Sequence, residues 1–191
     1  MNICIYGGTF NPPHVGHLIV AERVREEFRL GKVLFIPSAI SPHKQHLELI
    51  DPVWRMKMLQ LALDGETFFE AVDLEISRGG VSYTVDTLQQ LKDSHPHDSL
   101  FLIIGMDNLA EFNTWKSPEK ILELARVILM TRPGVEPSSA NGFQQKFTLC
   151  RVPEIGVSSS EIRERVKQGK SIRYLVPKAV EAYIYDQELY R

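Results

Sequence analysis

The sequence of 191 residues predicts an α/β protein with a mostly parallel sheet and helices on both faces. Three observations support this prediction. Short apolar segments typical of buried strands alternate along the chain with helical patterns of apolar residues. Glycine and polar residues gather where the strands end, which is the edge at which open parallel sheets bind ligands. The length suits one domain, residues 1–191, with a small helical part from about residue 158.

The first strand and the turn after it are the most informative part of the sequence. Asn2–Tyr6 is rich in Ile and Tyr, which favours a buried strand. The next eleven residues contain Gly7-Gly8 and Pro12-Pro13, and apolar residues at helical spacing begin near Val15. This stretch is therefore predicted to turn from a strand directly into a helix.

The remaining elements follow from the same patterns and from helix-start signals. Asp51 followed by proline is typical of an N-cap and first helical position, and Ser82 is predicted to cap the helix that carries Val85, Leu88 and Leu91. Further strands are predicted over 32–37, 68–76, 100–104, 127–130 and 147–152, and further helices begin at Asp51, Ser82, Ser158 and Pro177.

Composition and charge exclude several classes of function. The formal net charge is −2, which gives no electrostatic support for binding nucleic acid or an anionic membrane. Cys4 and Cys150 are too few for a disulfide scaffold and are predicted to be buried thiols. No signal peptide or run of 18 apolar residues is evident, so we expect a cytoplasmic protein.

The turn after the first strand has the chemistry of a phosphate site. Gly7 and Gly8 let a ligand approach the backbone, and a helix N-terminus offers unpaired N–H groups and a positive dipole end. His14 and His17 lie three residues apart and face that end, with Gly16 between them. Alone, the histidines could also be a surface pair or half of a metal site. His43 and His46 have no obvious third ligand, so a structural zinc site is rejected.

Two other segments carry candidate ligand-binding residues. In the first, Ser158-Ser159-Ser160 precedes Glu161 and Arg163, so a capped helix start lies beside an arginine suited to phosphate. An ordinary capping box with a solvated arginine is the alternative. In the second, Ser82-Tyr83-Thr84 opens a helix whose N–H groups suit a small carboxylate. Trp115 could stack on a flat ring or belong to the core, and Lys44 could simply be solvated.

The segment GGTFNPPHVGH (7–17) resembles the signature of the His-x-Gly-His nucleotidyltransferases, and specifically of the bacterial nicotinate mononucleotide adenylyltransferases. The Ser-rich segment before Arg163, Pro42-His43-Lys44 and Ser82-Tyr83-Thr84 match further motifs of that family. The resemblance covers Ile3 to about Leu175. It implies a Rossmann-like nucleotidyltransferase fold, with the catalytic residues His17, His14, Lys44 and Arg163.

The resemblance also implies which residues bind each substrate. Tyr83 and Thr84 would recognise the acid group of the nicotinate ring, Trp115 its face and Asp107 ribose hydroxyls. The residues implied for the acceptor are Lys44, Ser82, Tyr83, Thr84 and Trp115. The residues implied for ATP are Gly7, Gly8, Thr9, Phe10, His14, His17, Gly105, Asp107, Arg132, Ser158, Ser159, Ser160 and Arg163.

The function expected from this resemblance is transfer of the adenylyl group of ATP to nicotinate mononucleotide. Mg²⁺ is expected to come with ATP, without metal-ligating side chains. The alternatives are another enzyme of the superfamily, with a nicotinamide mononucleotide, phosphopantetheine or cytidylyl substrate, or a binding protein without turnover. The sequence leaves a homodimer open, and it assigns no role to residues 135–145.

Overall fold

The computed structural model of the chain describes residues 1–42, 49–131 and 143–191. These ranges contain one sheet and helices on both of its faces. No helix in them is long and apolar enough to cross a bilayer. The strands are β1 (Asn2–Gly8), β2 (Lys32–Pro37), β3 (Phe69–Ala71), β4 (Ser99–Gly105), β5 (Arg126–Thr131) and β6 (Thr148–Arg151). The helices are α1 (Val15–Glu27), α2 (Pro52–Ala62), α3 (Leu74–Arg78), α4 (Thr84–Ser94), α5 (Met106–Glu111), α6 (Pro118–Leu124), α7 (Ser159–Lys167) and α8 (Lys178–Asp186), with short 3-10 turns at Phe112–Thr114 and Gln144–Lys146.

The strand order is β3-β2-β1-β4-β5-β6, and every neighbouring pair is parallel. The chain first builds outward from β1 through β2 to β3, and then returns to the other side of β1 with β4. Two adjacent strands, β1 and β4, therefore lead their following segments to opposite sides of the sheet. This is the point at which an open parallel sheet forms a ligand crevice. The predicted α/β architecture is confirmed.

The core consists of three clusters of buried side chains. Residues alternate between the two faces of β1, so Ile3 and Ile5 join one cluster and Cys4 joins the other. The third cluster lies between α2, α7 and α8, where Met58 and Ala62 pack with Ile162 and Ile184 among others. Cys4 and Cys150 are free and buried, as predicted.

The prediction of one strand over 68–76 was wrong. The strand ends at Ala71, and Leu74–Arg78 form the short helix α3, which stops at Gly79 and Gly80 with φ near +69°. The alternation of apolar and polar residues from Val72 to Ile76 is typical of a strand, but β3 pairs only with three residues of β2. Glycine fits the left-handed φ without strain, so the pair turns the chain toward the site.

Ile184→Ala tests whether the third cluster belongs to the same folding unit as the sheet. Ile184 is fully buried, and removing its side chain should lower the free energy of unfolding by about 3 kcal/mol because a cavity remains. Val53→Ala, at a position 67% exposed, should change it by less than about 0.5 kcal/mol. Urea denaturation followed by circular dichroism and by tryptophan fluorescence should show one shared transition. Two separate transitions would contradict the single-domain prediction.

Candidate active site

A cavity of about 240 Å³ lies at the carboxyl ends of β1 and β4, in the crevice that the strand order creates. It is lined by predicted site residues and by others that the sequence did not single out. The predicted ones are Gly7, Gly8, Thr9, Ser82, Tyr83, Thr84 and Trp115, and the others include Ser38, Glu75, Thr87 and Asn108. Two more open clefts, of about 810 and 650 Å³, contain none of the predicted residues.

The two glycines at the end of β1 act in different ways. A Cβ placed on Gly7 would meet no atom within 4 Å, so the missing side chain leaves the cavity wall open. A Cβ on Gly8 would lie 3.0 Å from the ring of Phe10. Phe10 itself is buried and packs edge-on against Tyr6 and His17. Its side chain therefore supports the turn from the core, and only its backbone could approach a nucleotide.

His14 and His17 form a stacked pair at the start of α1. Their ring centroids are 3.7 Å apart, and the backbone N–H of His14 donates to Nδ1 of His17 at 3.1 Å. A neutral His17 whose Nδ1 accepts this bond carries its proton on Nε2, which makes Nε2 a donor. The arrangement holds the His17 ring in one orientation and assigns its tautomer.

His14 supports its neighbour as a neutral ring. Burial lowers the pKa of His14 to about 4, so it carries no charge at neutral pH. Among the described residues nothing hydrogen-bonds its buried Nδ1. A Cβ on Gly16 would come within 3.0 Å of that nitrogen, which explains why this position between the histidines carries no side chain. This geometry fits a His14 that orients His17.

Arg55 of α2 is fully buried under the loops that follow β1 and β2. Its guanidinium donates to the carbonyl of Thr9 at 2.9 Å, to that of Ser38 at 2.7 Å, and to those of Ala39 and Ile50 at 3.3 Å. Burial lowers its pKa. Arg55 thus ties together two of the loops that form the cavity.

The start of α7 is hydrogen-bonded to the histidine turn (residues 9–14, before α1), although the two segments lie near opposite ends of the sequence. Ser159 donates to the carbonyl of Pro12 at 2.8 Å, and Arg163 donates to that of Asn11 at 2.8 Å and to the Ser160 hydroxyl at 3.1 Å. Ser158 caps α7 by accepting from the N–H of Glu161. The two predicted phosphate motifs therefore meet in space. Arg163 uses two of its five N–H donors in these hydrogen bonds.

The first turn of α4 lines the cavity. Tyr83 is the N-cap residue, and no side chain in the described ranges caps the helix. The prediction that Ser82 caps it was wrong: the buried Ser82 hydroxyl instead accepts from the N–H of Ala39 at 2.9 Å. This bond joins α4 to the loop after β2, and N–H groups at such a helix start suit a carboxylate.

Two residues between α5 and α6 form another wall of the cavity. Trp115 is half-buried and packs on Phe112, with ring centroids 5.3 Å apart, and it also lines the cavity. Stacking of Trp115 on a ligand ring stays a prediction. Lys116 lies over the ring of Tyr83 at 4.6 Å and pairs with Asp86 at 2.9 Å. The cavity thus offers an aromatic wall beside the start of α4.

Other predicted residues lie outside this cavity or outside the described ranges. Gly105 is the N-cap of α5, and Asp107 is exposed on its first turn, whereas Asn108 lines the cavity. Lys44, Arg132 and most of the 135–145 segment are not among the described residues.

The described part of the chain contains no group of three His, Cys, Asp or Glu side chains that could enclose a metal ion.

From the sequence, Arg55 had only a weak role in supporting the loop before α2, and no role was assigned to Glu75, Thr87 or Tyr190. An arginine in register with Met58, Leu59 and Ala62 on the buried face of α2 is a detectable signal. Glu75 was not recognised because residues 68–76 were predicted to form one strand. Tyr190, whose hydroxyl donates to the side-chain oxygen of Asn11 at 2.7 Å, carries no local signal at all.

The cytidylyltransferase-like family profile matches residues 5–165 of the chain. A protein of Salinibacter ruber called a probable nicotinate-nucleotide adenylyltransferase is 43% identical over all of this chain and 98% of its own length. A protein of Desulfitobacterium hafniense with the same name is 43% identical over 99% of this chain and 95% of its own.

Solved structures agree with the fold. The nicotinic acid mononucleotide adenylyltransferase of Plasmodium falciparum, complexed with APC, superposes with a TM-score of 0.80, covering 99% of this chain and 96% of its own at 22% identity. A putative nicotinate-nucleotide adenylyltransferase from Vibrio parahaemolyticus gives 0.71, covering 100% and 95% at 23% identity.

The buried His14 predicts a loss of stability in acid. Its pKa is about 4 when folded, against an ordinary 6.5, so the unfolded chain binds a proton that the folded chain does not. Between these values stability rises with pH, and His14 should account for a loss of about 2 kcal/mol between pH 7 and pH 5.

The check is urea unfolding at pH 7 and pH 5 for the wild type and for His14→Gln. The substitution should remove about 2 kcal/mol of the difference between the two pH values. His97→Gln, at an exposed position, is the control and should leave the difference unchanged. An unaltered pH dependence in His14→Gln would contradict the burial argument.

Proposed function

The chain belongs to the cytidylyltransferase-like family and, within it, to the nicotinate-nucleotide adenylyltransferases, and from this membership we propose that it transfers the adenylyl group of ATP to nicotinate mononucleotide. The products are nicotinate adenine dinucleotide and pyrophosphate. The observation that carries the proposal is the conjunction of a stacked histidine pair at the start of α1 with an aromatic-walled cavity beside the uncapped α4.

The reaction needs little acid–base chemistry from the protein. The 5′-phosphate of the mononucleotide attacks the α-phosphorus of ATP, a P–O bond forms, and the bond to the departing pyrophosphate breaks. A phosphate monoester has a second pKa of about 6, so the nucleophile is mostly dianionic at neutral pH. Catalysis therefore rests on positioning the two substrates in line and on stabilising the charge of the transferring group.

His17 is the group we propose for charge stabilisation at the α-phosphate. Its Nδ1 is committed to the backbone of His14, so the neutral ring presents an N–H at Nε2. A donor fixed before the reaction costs no reorganisation when charge develops on a phosphate oxygen. Arg163, held next to the histidine turn through Asn11, and Lys44 complete the proposed set.

The cavity at the end of β4 is proposed to take the acceptor ring. Trp115 supports one face of the ring, and the N–H groups at the start of α4, near Tyr83 and Thr84, receive its carboxylate. The adenosine side is proposed to lie near Gly105, Asp107 and Arg132.

Mg²⁺ is proposed as the cofactor, held by ATP phosphates and water. When bound it would withdraw charge from the phosphates and from the leaving pyrophosphate. We also propose a cytoplasmic location, as expected from the sequence, and no nucleic acid partner, because the net charge is −2. The homodimer that the sequence leaves open stays a prediction.

The proposal is tested by pyrophosphate release with Mg-ATP and four acceptors: nicotinate mononucleotide, nicotinamide mononucleotide, phosphopantetheine and none. We expect rapid release with the first acceptor, because the start of α4 offers N–H donors to a carboxylate. Faster release with nicotinamide mononucleotide would leave adenylyl transfer as the reaction but would contradict the assignment of the start of α4 as a carboxylate site. No pyrophosphate release with any acceptor would contradict adenylyl transfer.

His17→Ala should lower kcat by about a hundredfold or more, because it removes a donor that acts on the transition state. Its KM for the mononucleotide should change little. His97→Ala is the matched control at an exposed position and should retain wild-type kcat. A His17→Ala variant with normal turnover and normal folding by circular dichroism would exclude His17 from the mechanism.

A further inference from the structure

Glu75 is an acid in the wall of the acceptor cavity, and neither the motifs nor the comparisons assign it a role. It lies on α3 and is only 7% exposed. Of the described residues that line the cavity, Glu75 and Lys116 carry charge, so Glu75 is the sole acid among them. Its position brings a negative charge close to the proposed site of the ring.

The partners of Glu75 in the described part of the chain are polar but not cationic. Thr87 of α4 donates its hydroxyl proton to Oε1 of Glu75 at 2.7 Å, and the same hydroxyl accepts from Arg78 at 3.0 Å. Arg78 thus touches Thr87 and makes no ion pair with Glu75. Lys116, the cation in the cavity wall, is paired with Asp86.

A buried carboxylate is costly unless an opposite charge or several hydrogen bonds compensate it. Thr87 supplies one hydrogen bond to one of the two carboxylate oxygens. The open space beside Glu75 is the ligand cavity, so a counter-charge brought by the ligand would complete the compensation. This points to a ligand with a positive group on the part that enters the cavity.

We infer that Glu75 is the counter-charge for the cationic pyridinium ring of the acceptor, and so a specificity-determining residue. The inference rests on the proposed function. In a pyridine mononucleotide the ring nitrogen bears the ribose and a formal positive charge, which is spread over the ring and makes its C–H edge positive. Trp115 would contact the face of this ring, the start of α4 would take the exocyclic carboxylate, and Glu75 would face the edge.

In this assignment Glu75 recognises the charge of the ring and does not recognise the exocyclic group. A carboxylate near the nicotinate carboxyl would weaken binding by like-charge repulsion, whereas one near the ring strengthens the binding of every pyridinium, acid or amide. The inference therefore predicts discrimination against a ring of the same shape without positive charge. The 1,4-dihydropyridine form of nicotinamide mononucleotide is such a ligand.

The experiment measures the dissociation constants of nicotinamide mononucleotide and of its 1,4-dihydro form by isothermal titration calorimetry. Glu75→Gln keeps an oxygen that can accept from Thr87 and removes the charge. It should weaken binding of the oxidised ligand by about tenfold and alter the reduced ligand by less than about twofold. Thr87→Val, the matched control, breaks the hydrogen bond and keeps the charge, so it should not change the preference for the oxidised ring.

Any result other than this selective weakening of the oxidised ligand would overturn the inference. Equal weakening of both ligands by Glu75→Gln would make Glu75 a structural support of α4, and no weakening would remove it from recognition. Tighter binding of nicotinate mononucleotide to Glu75→Gln than to the wild type, titrated in the same way, would mean that Glu75 faces the exocyclic carboxylate. If Glu75→Gln does not fold, the wild type still decides, because it should bind the oxidised ring at least about tenfold more tightly than the reduced ring.

Failure of the proposed function is a separate result. It would appear as wild-type protein that releases no pyrophosphate from ATP and nicotinate mononucleotide, and this is measured before any variant is made. Wild-type turnover without ring-charge discrimination would leave the adenylyl transfer intact and reject only the role of Glu75.

Discussion

The geometry of the site depends on the buried guanidinium of Arg55. Its N–H groups bind the backbone carbonyls of Thr9 and Ser38, each of which belongs to a loop that lines the cavity. Burying a cation is costly, and burial lowers the pKa of Arg55. Hydrogen bonds from charged donors are about twice as strong as neutral ones, so the four carbonyls offset much of it. One side chain outside the cavity thereby fixes the relative positions of the loops after β1 and β2.

The proposed phosphate side of the site is formed by the two ends of the chain. The N–H of Val15 donates to the carbonyl of Leu175 at 3.0 Å, and Asn11 receives bonds from both Arg163 and Tyr190. Burial raises the pKa of the Tyr190 hydroxyl, which keeps it protonated and able to donate. Because α7 and α8 also pack on α2, the helical C-terminal part and Arg55 restrain the same turn from two directions. The histidine pair is therefore held mainly by contacts that are distant in sequence.

The sequence was sufficient for features that local patterns encode. Alternating strand and helix patterns predicted the parallel sheet, and the Gly-Gly turn with its two histidines predicted where the ligand crevice would lie. The errors arose where tertiary contacts decided the outcome. The alternation from Val72 to Ile76 could not reveal that the sheet edge ends at Ala71, and Ser82 had the residue type of a helix cap but bonds the backbone of Ala39 instead. The bonds from Arg55 and Tyr190 could not be predicted either, since hydrogen bonds between distant segments leave no periodic pattern.

The proposed phosphate and ring halves of the site differ in the charged groups that they carry, and this difference would orient the acceptor. The proposed phosphate half presents donors: the start of α1, the Nε2 proton of His17 and the guanidinium of Arg163. The ring half contains the carboxylate of Glu75 beside the N–H groups of α4. A mononucleotide with a dianionic phosphate at one end and a cationic ring at the other fits these halves in one direction only. The reversed molecule would bring its phosphate against Glu75 and its ring against Arg163. Orientation would thus follow from charge placement, and the phosphate oxygen would reach the α-phosphorus without a base to activate it.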